Sequence, residues 1–286
     1  MAELTLGEVV AALEGLYPAA TAQSWDRVGL VTGDLAQPVR RVHFAVDPTL
    51  AVIDEAVTAG ADLLVAHHPL LLHGVSSVAS STAKGAAIAA MVKADLALFT
   101  AHTNADVASP GVSDALAAAL GLRDLTPLQR AGDDGADREG QGIGRWGRLP
   151  QPMTLRLFAQ KLAAALPAAP GGVRVAGDAE ALVELVAVAG GAGDDLFDAV
   201  RASGADVYVT ADLRHHPALG AREEARAGGG GTPYLVDAGH WASEWLWLPD
   251  ARDRLVSALE QRAARLETHV SVLCTDPWDL VVGAVP

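Results

Sequence analysis

The sequence holds a single cysteine, Cys274, among its 286 residues. A disulfide within the chain is therefore excluded, as is any site built from several thiolates, so a metal centre here must draw on imidazole and carboxylate. Long apolar runs are missing as well. No stretch approaches the roughly 20 residues needed to cross a bilayer, and the opening MAELTLGEVV has neither the basic nor the apolar segment of a secretory signal. The expectation is a cytoplasmic protein without a membrane partner. Cations are scarce: 21 Lys and Arg against 35 Asp and Glu give a formal net charge of -14. That charge is spread along the chain and repels nucleic-acid phosphates, so nucleic acid is not an expected partner unless a basic strip forms near Arg40 and Arg41. Bound cations would mask part of it.

What is present is apolar residue in quantity, half of the chain, enough for two lobes of roughly 100–150 residues. Apolar runs ending in polar residues, as in Val42–Val46, Leu63–Ala66, Leu96–Thr100, Leu185–Ala189, Val207–Thr210 and Tyr234–Val236, alternate with helical stretches. The helices are expected over Leu50–Ala59, Gly85–Lys93, Val112–Leu120, Leu155–Leu166, Asp195–Ala202 and Arg252–Leu266, with Gly60, Gly121 and Gly204 at C-terminal cap positions. The class is α/β: two related α/β lobes with mixed sheets flanked by helices. The segment 131–144 is charged, glycine-rich and without apolar period, which sets the expected lobes at 1–130 and 145–286.

The two halves resemble each other. AVTAGADLLVAHHP at Ala56–Pro69 is matched by AVRASGADVYVTADLRHHP at Ala199–Pro217, and AHTNAD by GHWASE. An internal duplication explains the pattern and predicts a metal site in the cleft between two facing lobes. Of nine histidines, six (His67, His68, His102, His215, His216 and His240) fall shortly after strand-like runs, where open α/β sheets carry their ligand-binding loops. His67 and His68 leave a strand, and Pro69 discourages a helix there; a plain turn is the alternative. His102 and Asp106 stand in a loop, with Asp106 the expected ligand and His102 a ligand, an orienting group or a proton carrier. Turn chemistry alone would also explain Asn104 and Asp106. His240 and Glu244 are four apart and share a helix face, the alternative being an incidental solvated pair. Three imidazoles and two carboxylates exceed one closed tetrahedral site and fit two divalent ions sharing a bridge.

The ordered set Trp25–Leu30 (WDRVGL), VAHHPLL, AHTNAD, GADVYVTADLRHH, DAGHWASE and Thr275–Trp278 (TDPW) resembles the family of GTP cyclohydrolase type 2 homologues, also called Nif-three-like, over nearly the whole chain. The resemblance implies a dinuclear metal centre held by His67, His68, Asp106, His240 and Glu244, and a toroidal homohexamer. Arg27, Ala211 and Trp241 depart from the usual family residues without removing a ligand. Longer members carry an inserted domain that this chain lacks, which leaves access to the site more open.

Two such ions lower the pKa of a shared water and stabilise oxyanion charge, so hydrolysis is the expected chemistry. The expected substrate is a nucleotide or another phosphorylated metabolite, with Gly190–Gly193 forming a turn before a helix that could receive an anion; tight turning is its plainer role. His102 and His216, or His215, are the candidate proton carriers. No Ser, Cys or Lys stands beside an activating base. The alternative is a non-catalytic metal-binding or regulatory assembly. Zn, Fe, Mn, Ni and Co suit the ligand set alike.

Overall fold

The computed structural model describes residues 4–131, 140–228, 230–259 and 266–283. In chain order its elements are α1 (Leu6–Leu16), β1 (Gly29–Thr32), β2 (Arg41–Ala45), α2 (Leu50–Thr58), β3 (Leu63–Ala66), α3 (Ala83–Lys93), β4 (Ala97–Thr100), α4 (Thr103–Val107), α5 (Val112–Leu120), β5 (Arg123–Arg130) and β6 (Gly142–Thr154). Then follow α6 (Leu155–Ala165), β7 (Arg174–Ala176), β8 (Leu182–Ala192), α7 (Phe197–Ser203), β9 (Val207–Ala211), α8 (His215–Ala227), β10 (Tyr234–Asp237), α9 (His240–Trp245), α10 (Trp247–Leu259) and β11 (Glu267–Val270). None of the described helices is long and apolar enough to cross a membrane.

Contacts divide the chain into two units, residues 1–108 with 248–275, and residues 109–247 with 276–286. The segment 131–144, expected as a lobe boundary, begins after β5 and includes the first residues of β6, its neighbour in one sheet; residues 132–139 lie outside the described residues.

The first unit has a five-stranded sheet ordered β1-β4-β3-β2-β11. Its strands β11, β2, β3 and β4 pair in parallel, and β1 closes the far edge antiparallel to β4. Every residue of β3 and β4 is buried, as continuous apolar runs covered on both faces require. Val52, Ile53 and Ala56 of α2 and Met91 of α3 pack on Leu64, Ala66 and Leu98. Thr49 and Thr82 start these helices by accepting hydrogen bonds from the backbone N–H of Val52 and Gly85.

The second unit has a six-stranded sheet ordered β5-β6-β8-β9-β10-β7. Strands β8, β9 and β10 are parallel, while β5, β6 and β7 run antiparallel to their neighbours. One face packs Leu116, Leu120, Phe158 and Leu162 on Val186, Val188, Val207 and Val209. The other packs Phe197, Val200 and Ala221 on Ala187, Ala189 and Tyr208.

The duplication reappears as topology. The order β1-β4-β3-β2 in one sheet repeats as β7-β10-β9-β8 in the other, with the flanking strand antiparallel in both. In each repeat the third parallel strand, β4 or β10, runs into a short helix, α4 or α9. Those helices carry Asp106 and Glu244.

Candidate metal centre

In the first unit the ladder continues past β3: the N–H groups of His67 and His68 donate to the carbonyls of Ala45 and Val46 at 3.1 and 2.9 Å. Both backbones are thus fixed before their side chains are considered. The His67 ring is fully buried, and its Nδ1 lies 2.9 Å from the Ala101 carbonyl. A carbonyl only accepts, so the ring proton sits on Nδ1 and the Nε2 lone pair faces the other way. His68 Nδ1 lies 2.7 Å from Asp47 Oδ1, whose other oxygen accepts from the Thr275 hydroxyl. His102, just ahead of α4, has its Nδ1 3.0 Å from Asp26 Oδ1. Ring nitrogens of His67, His68 and His102 come within 4.8 Å of one another. Asp106, one helical turn after His102, has Oδ1 3.9 Å from His67 Nε2.

Local sequence explains the arrangement. Asp26 Oδ2 accepts from the N–H and hydroxyl of Thr103 at 3.0 and 2.5 Å, while Asn104 donates to the Tyr17 carbonyl at 2.7 Å and accepts from the His102 N–H at 2.9 Å. Asn104 therefore serves the backbone, and α4 is anchored at its N-terminal end, with Asp106 in its first turn. Burial tends to raise the Asp26 pKa, but the hydrogen bonds from His102 and Thr103 outweigh it and hold the carboxyl below its ordinary value. Burial, followed by the neighbouring His67, pushes the His102 imidazole down to about 4 against the pull of Asp26. The ring is neutral near pH 7 and its lone pair is available to a cation.

In the second unit His240 and Glu244 occupy successive turns of α9, with His240 Nε2 3.2 Å from Glu244 Oε1. The expected shared helix face is present. His240 Nδ1 lies 2.8 Å from Asp212 Oδ2, and Asp212 follows β9 with a left-handed φ of 52°. Glu244 is nearly buried beside β8, where Gly191 has φ 67°; a Cβ there would stand 2.2 Å from Glu244 Oε1. Gly191 N–H donates to Ser243 Oγ at 3.0 Å, which fixes α9 on the strand. The Gly190–Gly193 stretch is thus the end of β8 and a seat for the Glu244 carboxylate; the expected turn before an anion-receiving helix is corrected accordingly.

The second His-His-Pro differs in place from the first. Asp212, Leu213 and Arg214 intervene after β9, so His215 and His216 open α8 on the exposed surface, their rings 5.1 Å apart. Asp212 takes the position just beyond the strand that His67 takes in the first repeat. Sequence reasoning missed Asp26, Asp47 and Asp212 as partners of the histidines, although Asp26 sits in the WDRVGL landmark and Asp212 three residues before His215. Nothing in local spacing signals them, because each pairs with a ring distant in sequence.

All four rings, His67, His68, His102 and His240, have Nδ1 held by a carbonyl or carboxylate. Such a hold on one nitrogen is how metal-ligating histidines are oriented and made more basic at the other. The donor set of nitrogen and carboxylate oxygen fits a borderline divalent cation. Asp26→Asn should weaken metal binding by about 10–100-fold with the fold intact, as read by chelator competition alongside circular dichroism.

Residues 4–277 match the family described as Duf34/NIF3 (NGG1p interacting factor 3). The chain belongs to this family. A Streptomyces coelicolor relative named GTP cyclohydrolase 1 type 2 homolog is 51% identical over 282 residues, covering 98% of this chain and 96% of its own. A Mycobacterium tuberculosis relative of the same name is 38% identical over 377 residues, covering 96% of this chain and 97% of its own. Among solved structures of this Duf34/NIF3 group, a Bacillus cereus protein related to NIF3 superposes with TM-score 0.87 at 27% identity, covering 98% of this chain and 100% of its own. The family and the α/β fold are therefore those that the sequence motifs implied.

Proposed function

We propose that this Duf34/NIF3 member holds two divalent metal ions through His67, His68 and Asp106 of the first repeat and His240 and Glu244 of the second, and uses them in hydrolysis. The observation that carries the reading is the Nδ1 hold on the candidate histidines, which orients each Nε2 as a potential ligand. The relatives' name, GTP cyclohydrolase 1 type 2 homolog, points to nucleotide chemistry. The substrate class is a nucleotide or another phosphorylated metabolite.

Bound divalent ions would supply an activated water and charge stabilisation for a developing oxyanion. The chain's own residues do the rest. Asp26, Asp47 and Asp212 keep His102, His68 and His240 in one tautomer. The neutral His102 ring, grouped with His67 and His68, serves as a further ligand in this reading, while the exposed His216 is left as the proton carrier.

Protein purified without added metal, assayed by elemental analysis and against a panel of nucleotides and phosphate esters in the presence of Zn, Mn or Fe, tests the proposal. Metal retention with turnover supports it. Metal retention with a wholly inert panel would favour the non-catalytic assembly, and no metal uptake would sink both.

Self-association into a homohexamer is part of the same proposal. Trp278, Leu280, Val281 and Val282 form an exposed apolar run of the kind that marks association surfaces. Val282→Asp is expected to shift the assembly to smaller species in light scattering; an unchanged mass would remove this segment from the interface.

A further inference from the structure

A second group of ligating side chains lies wholly in the first unit and uses none of the residues above. His43 of β2 and His269 of β11 are direct register partners in a parallel pair, so their side chains leave the sheet on the same face. The rings lie 4.8 Å apart, tilted by 34°. Glu55 of α2 reaches over this face, with Oε2 2.9 Å from His43 Nε2 and Oε1 3.9 Å from His269 Nε2. The Ser271 hydroxyl donates to Glu55 Oε2 at 2.6 Å and fixes the carboxylate. All three ligand atoms come within 4.8 Å of one another.

We infer that His43, Glu55 and His269 form a separate divalent-cation site of the Zn type, open to solvent at its fourth position. The Glu55–His269 separation is too long for a hydrogen bond, yet it is close to the roughly 3.3 Å between ligands of one tetrahedral ion with bonds near 2.0–2.1 Å. His43 is buried and His269 half-exposed, so the ion would enter from the His269 side. Burial lowers the His43 pKa, against the opposing pull of Glu55. One feature limits affinity. With Nε2 on the ion, the His43 proton moves to Nδ1, for which the described residues offer no hydrogen-bond partner. The site is therefore weaker than one in which every ring is backed by an acceptor.

The physical consequence is a clasp. Among the described strands β11 lies at the sheet edge and pairs with β2 alone, and an ion here would tie it to both β2 and α2. The test is equilibrium dialysis of the full-length protein against Zn²⁺, comparing wild type with Glu55→Gln and with His269→Ala. The half-exposed His269 can be removed without opening the core, which keeps the result interpretable should Glu55→Gln misfold. Each variant is expected to bind one Zn²⁺ equivalent fewer than wild type. In wild type alone, Zn²⁺ should slow hydrogen exchange of the Glu267–Val270 amides by at least about tenfold. Equal stoichiometry in all three proteins, or loss of every equivalent in the variants, would overturn the inference and reduce the trio to a hydrogen-bonded contact. Asp106→Ala should leave this equivalent in place, so its outcome is separable from that of the centre proposed above.

Discussion

Asp106→Ala and Glu244→Ala are each expected to lower divalent-metal affinity by more than about 100-fold and to abolish turnover. The bound rests on the 10–100-fold cost of losing a group that merely orients a ligand; removing the ligand itself must exceed it. The two variants probe different repeats. Asp106 follows His102 by one turn of α4, held by Asp26 and Tyr17. Glu244 lies against Gly191, which leaves room for its carboxylate and for no Cβ of its own. Elemental analysis and chelator competition read the metal, and circular dichroism guards against trivial unfolding. A folded Glu244→Ala protein with wild-type metal content and affinity would remove α9 from the proposed centre. Gly191→Ala should imitate the loss in part, since it displaces the same carboxylate with the carboxylate still present.

The largest stability effect is expected away from any ligand. Arg145 of β6 is almost fully buried, and its Nε and Nη2 form a bidentate pair with Asp114 of α5 at 2.9 and 2.8 Å. Its Nη1 donates to the carbonyls of Gly142 and Gly144 at 2.5 and 2.8 Å. Asp114 also accepts from the Gly111 N–H at 2.8 Å, so one carboxylate starts α5 and neutralises the guanidinium. Asp114→Ala takes the bidentate carboxylate away from a nearly buried guanidinium and from the start of α5, and should cost about 3–5 kcal/mol, measured as a fall in the urea midpoint with m unchanged. Arg145→Met exchanges the cation for an apolar side chain of similar length and should cost less. A loss below about 1 kcal/mol for Asp114→Ala would mean that water reaches Arg145 in solution.

Much of this architecture can be read from the chain because its central strands are parallel and covered on both faces. Leu63–Ala66, Val207–Thr210 and Tyr234–Val236 appear as unbroken apolar runs and recur as β3, β9 and β10. Val112–Leu120 coincides with α5, and Gly60, Gly121 and Gly204 stand with positive φ at the ends of α2, α5 and α7. The strands without such a signal are the antiparallel or edge members. In β5 every residue is exposed or half-exposed, β7 is exposed throughout, and β11 alternates between exposed and half-exposed. Their pairing is set by distant partners. The same physics divides the candidate site: the proposed ligands His67, His68, Asp106, His240 and Glu244 can be picked out by their position after strands. Asp26, Asp47 and Asp212 belong to contacts spanning 76, 21 and 28 residues, which no local pattern encodes. The recurrence of His-His-Pro does not carry equivalent placement, since Asp212, Leu213 and Arg214 intervene and put its second copy on α8.

The pairing of β11 with β2 has a bearing on how the protein is made. Until Glu267–Val270 leave the ribosome, the Arg41–Ala45 backbone presents an unpaired row of amides and carbonyls, an open template for association with other nascent chains. Truncated products ending before residue 267 should consequently aggregate more readily than chains that reach Val270, in which the edge passes to the shorter β11 with its exposed Glu267 and His269.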